Sequence, residues 1–283
     1  MSQKNFHIIL ILLLTAITEH GSINPLQADE RTDRVDKLFS QWDRKDSPGC
    51  ALGVIKNGEF IYRRGYGAAN LEYEIPITSR SVFRIGSTSK QFTAMCIALL
   101  EEEGRLSLDD DIRRYLPEMP ERKPCITIRH LLHHTSGIRD YLTLWQLSGS
   151  RSADFFVDGE VTALLARQRE LNFIPGDEWL YSNSGYFLLS QIVKRITGKS
   201  MRAYAEEKIF NPLGMSHTHF HNDHNEIIKD RASGYIPEEE GGFKISMTAL
   251  EMIGDGGIFT SVDDLFYWDR NFTTTALGKA PPD

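Results

Sequence analysis

Apolar positions change period along the chain, and each change predicts an element. From Arg31 to Asp46 the spacing suits a helix. Two apolar runs, Cys50-Ala51-Leu52-Gly53-Val54-Ile55 and Phe60-Ile61-Tyr62, flank Asn57-Gly58, a pair that favours a type I′ turn and so predicts an antiparallel hairpin. From Gln91 onward, Phe92, Met95, Cys96, Leu99 and Leu100 fall at i, i+3, i+4, i+7 and i+8, which predicts a buried helix ending near Gly104. A second amphipathic helix carries Leu189, Ile192, Val193 and Ile196 and stops at Gly198. Strands come early and helices fill the middle. Neither an internal repeat nor a low-complexity linker divides residues 29–283, which predicts one unit.

The first residues follow a different rule. Lys4 precedes an apolar run from Ile8 to Ile17 that is too short to span a bilayer, and Leu26-Gln27-Ala28 then leads into Asp29-Glu30-Arg31. This predicts a signal peptide over residues 1–28, cleaved near Ala28, and an exported protein, periplasmic or extracellular. A retained short anchor reads the same way. With 41% hydrophobic and 25% charged residues, the remainder can bury a sizeable core. A net charge of −7 with no Lys/Arg block argues against a nucleic-acid partner. Three cysteines, Cys50, Cys96 and Cys125, are too few and odd in number for a disulfide framework, and all three are expected to be packing residues.

Candidate chemistry lies in two places. Ser87-Thr88-Ser89-Lys90 opens the helix that bears Phe92 and Met95. A serine hydroxyl is a weak nucleophile at neutral pH, and a lysine three residues on neighbours it across a helical turn and can serve as its base. The helix N-terminus also favours a developing alkoxide. The spelling is short, however, and Thr88 with Gln91 equally makes a capping box. Tyr181-Ser182-Asn183 follows the Pro175-Gly176 turn, and in an extended stretch Tyr181 and Asn183 can face one cleft together. A phenol near an ammonium can pass protons and an Asn amide can bind a substrate amide. A packed tyrosine followed by a helix cap is the plainer alternative.

In this order and spacing, the two elements resemble the serine β-lactamase and penicillin-binding-protein superfamily, in the branch of class C β-lactamases, D-Ala-D-Ala carboxypeptidases and related esterases. Pro48-Gly49-Cys50-Ala51, Leu131-Leu132-His133-His134-Thr135-Ser136-Gly137, Asn211-Pro212-Leu213-Gly214-Met215 and Gly256-Gly257-Ile258-Phe259-Thr260-Ser261 extend the resemblance over nearly all of Arg31 to Phe272. By position, the resemblance implies that Ser87 is the acylated nucleophile, Lys90 its basic partner, Tyr181 the proton shuttle and Asn183 the substrate-binding amide. The Ser87 N–H matches one oxyanion-hole donor. The implied fold is α+β: an α/β/α sandwich around an antiparallel sheet, with an all-helical subdomain inserted between the first strands and the last ones. The implied substrate is a small molecule or peptide (a β-lactam, a D-amino-acid peptide or an ester), with no cofactor, no metal and no obligate protein partner.

The family's third element, Lys-Thr-Gly or His-x-Gly on a later strand, has no counterpart after Asn183, and the chain stops at Pro281-Pro282-Asp283. The expectation is therefore a domain incomplete at its C-terminus, lacking its last strands, with an unpaired edge on the early strands and impaired turnover. Competing expectations are a module that recognises penicillin without turnover, and an inactive fragment. His219-Phe220-His221-Asn222-Asp223-His224 raises another, because H-x-H-x-D-H could hold zinc in a metallo-hydrolase. Against that reading, Pro212-Leu213-Gly214-Met215 stands where an aliphatic strand should, and no His follows His224, which leaves only incidental metal binding. His133 and His134 read as helix-end histidines. No Gly-x-Ser-x-Gly occurs, so a nucleophile elbow is unsupported.

Overall fold

The computed structural model describes residues 25–150, 154 and 156–278, so the predicted leader falls outside the described residues as far as residue 24. In chain order the elements that position the site are α1 (Pro25–Phe39), the strands β1 (Cys50–Lys56), β2 (Glu59–Tyr66), β3 (Ala68–Asn70), β4 (Ile75–Pro76) and β5 (Phe83–Arg84), and α2 (Lys90–Glu102). Then come α3 (Ile128–Leu132), α4 (Tyr141–Leu147), α5 (Asp158–Ala166), α6 (Asn183–Thr197), α7 (Met201–Ala205), β6 (His219–Phe220), β7 (Tyr235–Pro237), β8 (Phe243–Ile245), β9 (Ile258–Thr260) and α8 (Val262–Thr274).

The predicted hairpin forms, with Asn57 and Gly58 both at positive φ in its turn. A bulge at Ile61, where the register passes from Val54↔Tyr62 to Ile55↔Phe60, exchanges the faces of the residues on either side of it. Tyr62, Arg64 and Tyr66 therefore face α1, where Asp36 accepts from both phenols and pairs with Arg64. Phe60 and Arg63 face α8, with Phe60 stacked on Phe266 at 4.8 Å and Arg63 paired with Asp263 at 3.2 Å. Gly53 permits this close layer, since a Cβ there would stand 2.6 Å from Val262 Cγ1. The hairpin thus lies between two helices, the α/β/α layering expected. It pairs with no other strand among the described residues.

Helix α1 ends at Phe39 rather than at Asp46. Phe39 stacks on Tyr66 at 4.9 Å and Trp42 N–H donates back to Phe39 O, which turns the chain toward β1. A second antiparallel sheet has the order β5-β9-β6, with Arg84↔Phe259 and His219↔Phe259 in register. Helices α3 to α7 lie between β5 and β6 along the chain. Along the chain the helical insertion is followed by β6 and β9, which pair with each other, and β9 also pairs with β5.

The core is built largely from positions that the helical periodicity singles out. Phe92, Cys96 and Leu100 of α2 and Leu189, Ile192 and Val193 of α6 are fully buried, joined by Phe187, Phe210 and Ile258. Trp268 of α8 meets Phe92 at 4.4 Å and links the hairpin layer to this core. The packing role expected of all three cysteines fails for Cys125, which is exposed because Ile126 and Ile128 take the buried positions of that loop. Cys50 is half-buried, and Cys96 is a core residue whose thiol pKa burial pushes up. Among the described residues no helix is long and apolar enough to cross a membrane.

Candidate active site

Strand β5 runs into Gly86, whose φ of +53 turns the chain abruptly, and Ser87 stands in the single 3₁₀ turn Gly86–Ser89 ahead of α2. The Thr88–Gln91 capping box does not form. Gln91 instead donates to Thr88 O at 2.9 Å and accepts from Trp268 Nε1 at 2.5 Å, so the long-range partner wins its side chain. Ser89, fully buried, ties the turn to the sheet: its Oγ donates to Gly86 O at 2.6 Å and accepts from Ile258 N–H at 3.0 Å.

The four residues singled out from sequence converge. Lys90 Nζ lies 3.2 Å from Ser87 Oγ and 2.9 Å from Asn183 Oδ1, and Tyr181 OH lies 2.6 Å from Ser87 Oγ. Lys90 Nζ also donates to Asp255 O at 2.5 Å. An ammonium can direct one N–H to each of these three acceptors. A neutral amine can donate to Asn183 and Asp255 and turn its lone pair to the Ser87 hydroxyl. The lysine is buried beneath the rings of Tyr181 and Tyr186, 4.8 and 5.4 Å from their centroids. Tyr181 itself is exposed and forms the mouth of the site.

Tyr181 is held in place by the segment around His134. His134 O accepts from Leu180 N–H at 3.0 Å, Thr135 O from Gly176 N–H at 2.9 Å and Gly137 O from Asn172 N–H at 2.8 Å, a rail along which residues 172–180 run. His134 sits at φ +59, Nδ1 accepts from Ser182 N–H at 3.3 Å, and its ring lies 4.6 Å from that of Tyr181. Burial and then the Lys90 charge hold its pKa below the usual imidazole range, which preserves the neutral ring that can accept. His133 closes α3 and His134 follows it at positive φ, so both stand at that helix end as expected, and His134 also meets the two neighbours of Tyr181.

Asn183 is the first residue of α6, and its N–H donates to Asp140 Oδ2 at 2.6 Å, while Asp140 Oδ1 caps α4 through Thr143 N–H at 3.0 Å. The next residue, Tyr141, donates to Asp255 Oδ2 at 2.8 Å. Asp255 is fully enclosed, and burial pushes its carboxyl up to about 6 against the opposing pull of Tyr141, Lys90 and Arg84. Asp140, Tyr141 and Asp255 were missed from sequence. The available signal was a charged residue set among glycines, Gly254-Asp255-Gly256-Gly257, directly before a buried strand.

The H-x-H-x-D-H spelling does not gather its ligands at one point. His219 and His221 group with Glu226, while Asp223 and His224 group with Glu251. A cleft of about 890 Å³ is lined by Phe83 and Arg84, whose strand leads to Ser87, and by Trp145, Phe156, Arg231 and Phe259.

A serine in a turn at the end of a strand, a lysine one turn on and a tyrosine brought in from the helical insertion match the arrangement implied by the resemblance to the serine β-lactamase and penicillin-binding-protein superfamily. The chain belongs to the beta-lactamase family, whose model matches residues 35–280. It is 35% identical over 228 residues to a D-aminopeptidase of Gluconobacter oxydans (strain 621H), covering 80% of this chain and 42% of that one. It is 32% identical over 248 residues to penicillin-binding protein 4* of Bacillus subtilis (strain 168), covering 82% and 54%. The chain thus spans about half the length of these relatives. Among solved structures it resembles the octameric penicillin-binding protein homologue from Pyrococcus abyssi, with a TM-score of 0.74 at 30% identity over 88% of this chain and 56% of that one. It also resembles a penicillin-binding protein from Bacillus halodurans, with a TM-score of 0.70 at 28% identity over 81% and 70%.

Proposed function

We propose that this chain carries the acylating site of an exported serine hydrolase in which Ser87 attacks an amide, β-lactam or ester carbonyl. The observation that supports this most is the two-sided hold on Ser87 Oγ, by Lys90 Nζ at 3.2 Å and Tyr181 OH at 2.6 Å. As the Oγ–carbonyl bond forms, the hydroxyl proton passes to Lys90, and the carbonyl oxygen takes the charge beside the Ser87 N–H. Tyr181 relays a proton to the departing amine or alcohol, and water then cleaves the acyl-enzyme and restores Ser87. Lys90 engages Asn183 Oδ1, so the group Asn183 offers a substrate is its N–H₂. The named relatives favour D-amino-acid peptides and β-lactams within this range. Trp179, 64% exposed in the aromatic group with His134 and Tyr181, gives the mouth an apolar rim.

Labelled penicillin and a fluorophosphonate test the reading. Tryptic mass spectrometry should place the label on Ser87, and Ser87→Ala should abolish it. Label on Ser182 or Ser136 with Ser87 unmodified would overturn it, and a penicillin label that forms and never clears would mark recognition without turnover. The export proposal rests on the Lys4 to Ala28 pattern. N-terminal sequencing of secreted material should begin near Asp29, and a retained Met1 would count against it.

A further inference from the structure

We infer that strand β6 carries a structural divalent-cation site of the zinc class, formed by His219 Nε2, His221 Nδ1 and a carboxylate oxygen of Glu226. His219 lies on β6 and His221 just past its end, where its N–H donates to Gly257 O at 2.8 Å, so extended alternation puts the two histidines on one face. His219 Nε2 and His221 Nδ1 stand 3.3 Å apart, and two nitrogens each bound to one tetrahedral zinc at 2.0–2.1 Å would stand about 3.3–3.4 Å apart. Glu226 Oε2 is 3.6 Å from His221 Nδ1, and one ligand atom from each of the three residues lies within 4.8 Å of the others.

The surroundings fix this geometry. Phe259 of β9 lies parallel to the His219 ring at 6.0 Å and meets the His221 ring edge-on at 4.8 Å. His221 is buried and His219 half-buried. Arg202 of α7 grips Glu226 through both oxygens, at 2.5 and 2.8 Å. A carboxylate so held keeps further lone pairs, and ligating carboxylates are commonly oriented by such outer partners. From sequence, His219 and His221 share a face, and Asp223 and His224 would serve a second metal. The chain turns after Asn222, however, so that Glu226 folds back to the pair and His224 meets Glu251 at 2.7 Å instead.

A cation here would tie β6 to the segment that follows it and would take no part in acyl transfer. The test uses the whole chain after treatment with EDTA. Titration with Co²⁺ should give the visible bands of a four-coordinate ion, saturating at one equivalent per chain and displaced by Zn²⁺, and Zn²⁺ should raise the melting temperature. His221→Ala should weaken Zn²⁺ binding by more than about tenfold, since losing even an outer-shell partner costs that much. His224→Ala should leave binding unchanged. If His221→Ala fails to fold, the half-exposed Glu226→Gln gives the same readout. No saturable uptake, or uptake that survives His221→Ala and is lost in His224→Ala, overturns the site. Labelling of Ser87 should be the same with EDTA and with Zn²⁺, so the metal site and the acylation reading can fail separately.

Discussion

Lys90 meets Asp255 through the main chain: Nζ lies 2.5 Å from Asp255 O, while the buried carboxylate turns away to Tyr141 OH at 2.8 Å. The lysine is thus placed by an atom that no substitution at 255 removes. The carboxylate has a separate effect, on stability. Its folded-state value of about 6 lies above the ordinary aspartate value of 3.8, so the folded chain prefers the protonated form and ionisation opposes folding.

Stability from Asp255 is therefore full below about pH 4 and falls as pH rises through about 6, by about 3 kcal/mol in all. Arg84 and Lys90 face the carboxylate and already moderate this cost. Urea unfolding from pH 4 to pH 8 should show the decline in the natural chain and a flatter profile in Asp255→Asn, with Ser87 labelling retained. An unchanged slope in the variant would assign the titration to another group.

His134 supports a second prediction, because it holds both neighbours of Tyr181: its carbonyl takes Leu180 N–H and its imidazole takes Ser182 N–H. His134→Ala should slow acylation by up to about 10²-fold, the cost of misplacing a reacting group by about an ångström, with the label still on Ser87. Asn tolerates the positive φ at this position and carries an acceptor, so His134→Asn should recover much of the rate. Protonation of Nδ1 would remove the acceptor. The natural chain should therefore lose rate as pH falls below the depressed His134 pKa, and His134→Asn should lack that limb. Equal rates in all three proteins would show that the 134–137 rail alone suffices.

What could be read from sequence was short in range. The Asn57-Gly58 hairpin, the α2 and α6 core stripes, the Ser87–Lys90 pair one turn apart and the Tyr181–Asn183 pair two residues apart all follow from local periodicity. What could not be read depends on partners far along the chain. Gln91 leaves its local cap for Trp268, α1 stops where Phe39 finds Tyr66, and Asp255 meets Tyr141 across more than a hundred residues. His219 and His221 could be paired from their spacing, but Glu226 could not be joined to them, because spacing cannot foresee the turn that returns it.

Ser89 and Tyr181 separate architecture from chemistry. Ser89→Ala leaves the buried Ile258 N–H without its acceptor and frees Gly86 O, and should cost about 1–3 kcal/mol of stability. Ser87 keeps both of its own partners in that variant, so labelling should persist at a temperature where the chain is folded. Tyr181→Phe removes one hydroxyl from an exposed ring, so the melting temperature should hardly move. It removes the proton relay at 2.6 Å from Ser87 Oγ, however, and acylation should fall by about 10²–10⁴-fold. Melting curves and labelling rates measured side by side should therefore cross, Ser89→Ala moving the first and Tyr181→Phe the second. A Tyr181→Phe protein that is labelled at the natural rate would remove the phenol from the mechanism and leave Lys90 to manage the proton alone.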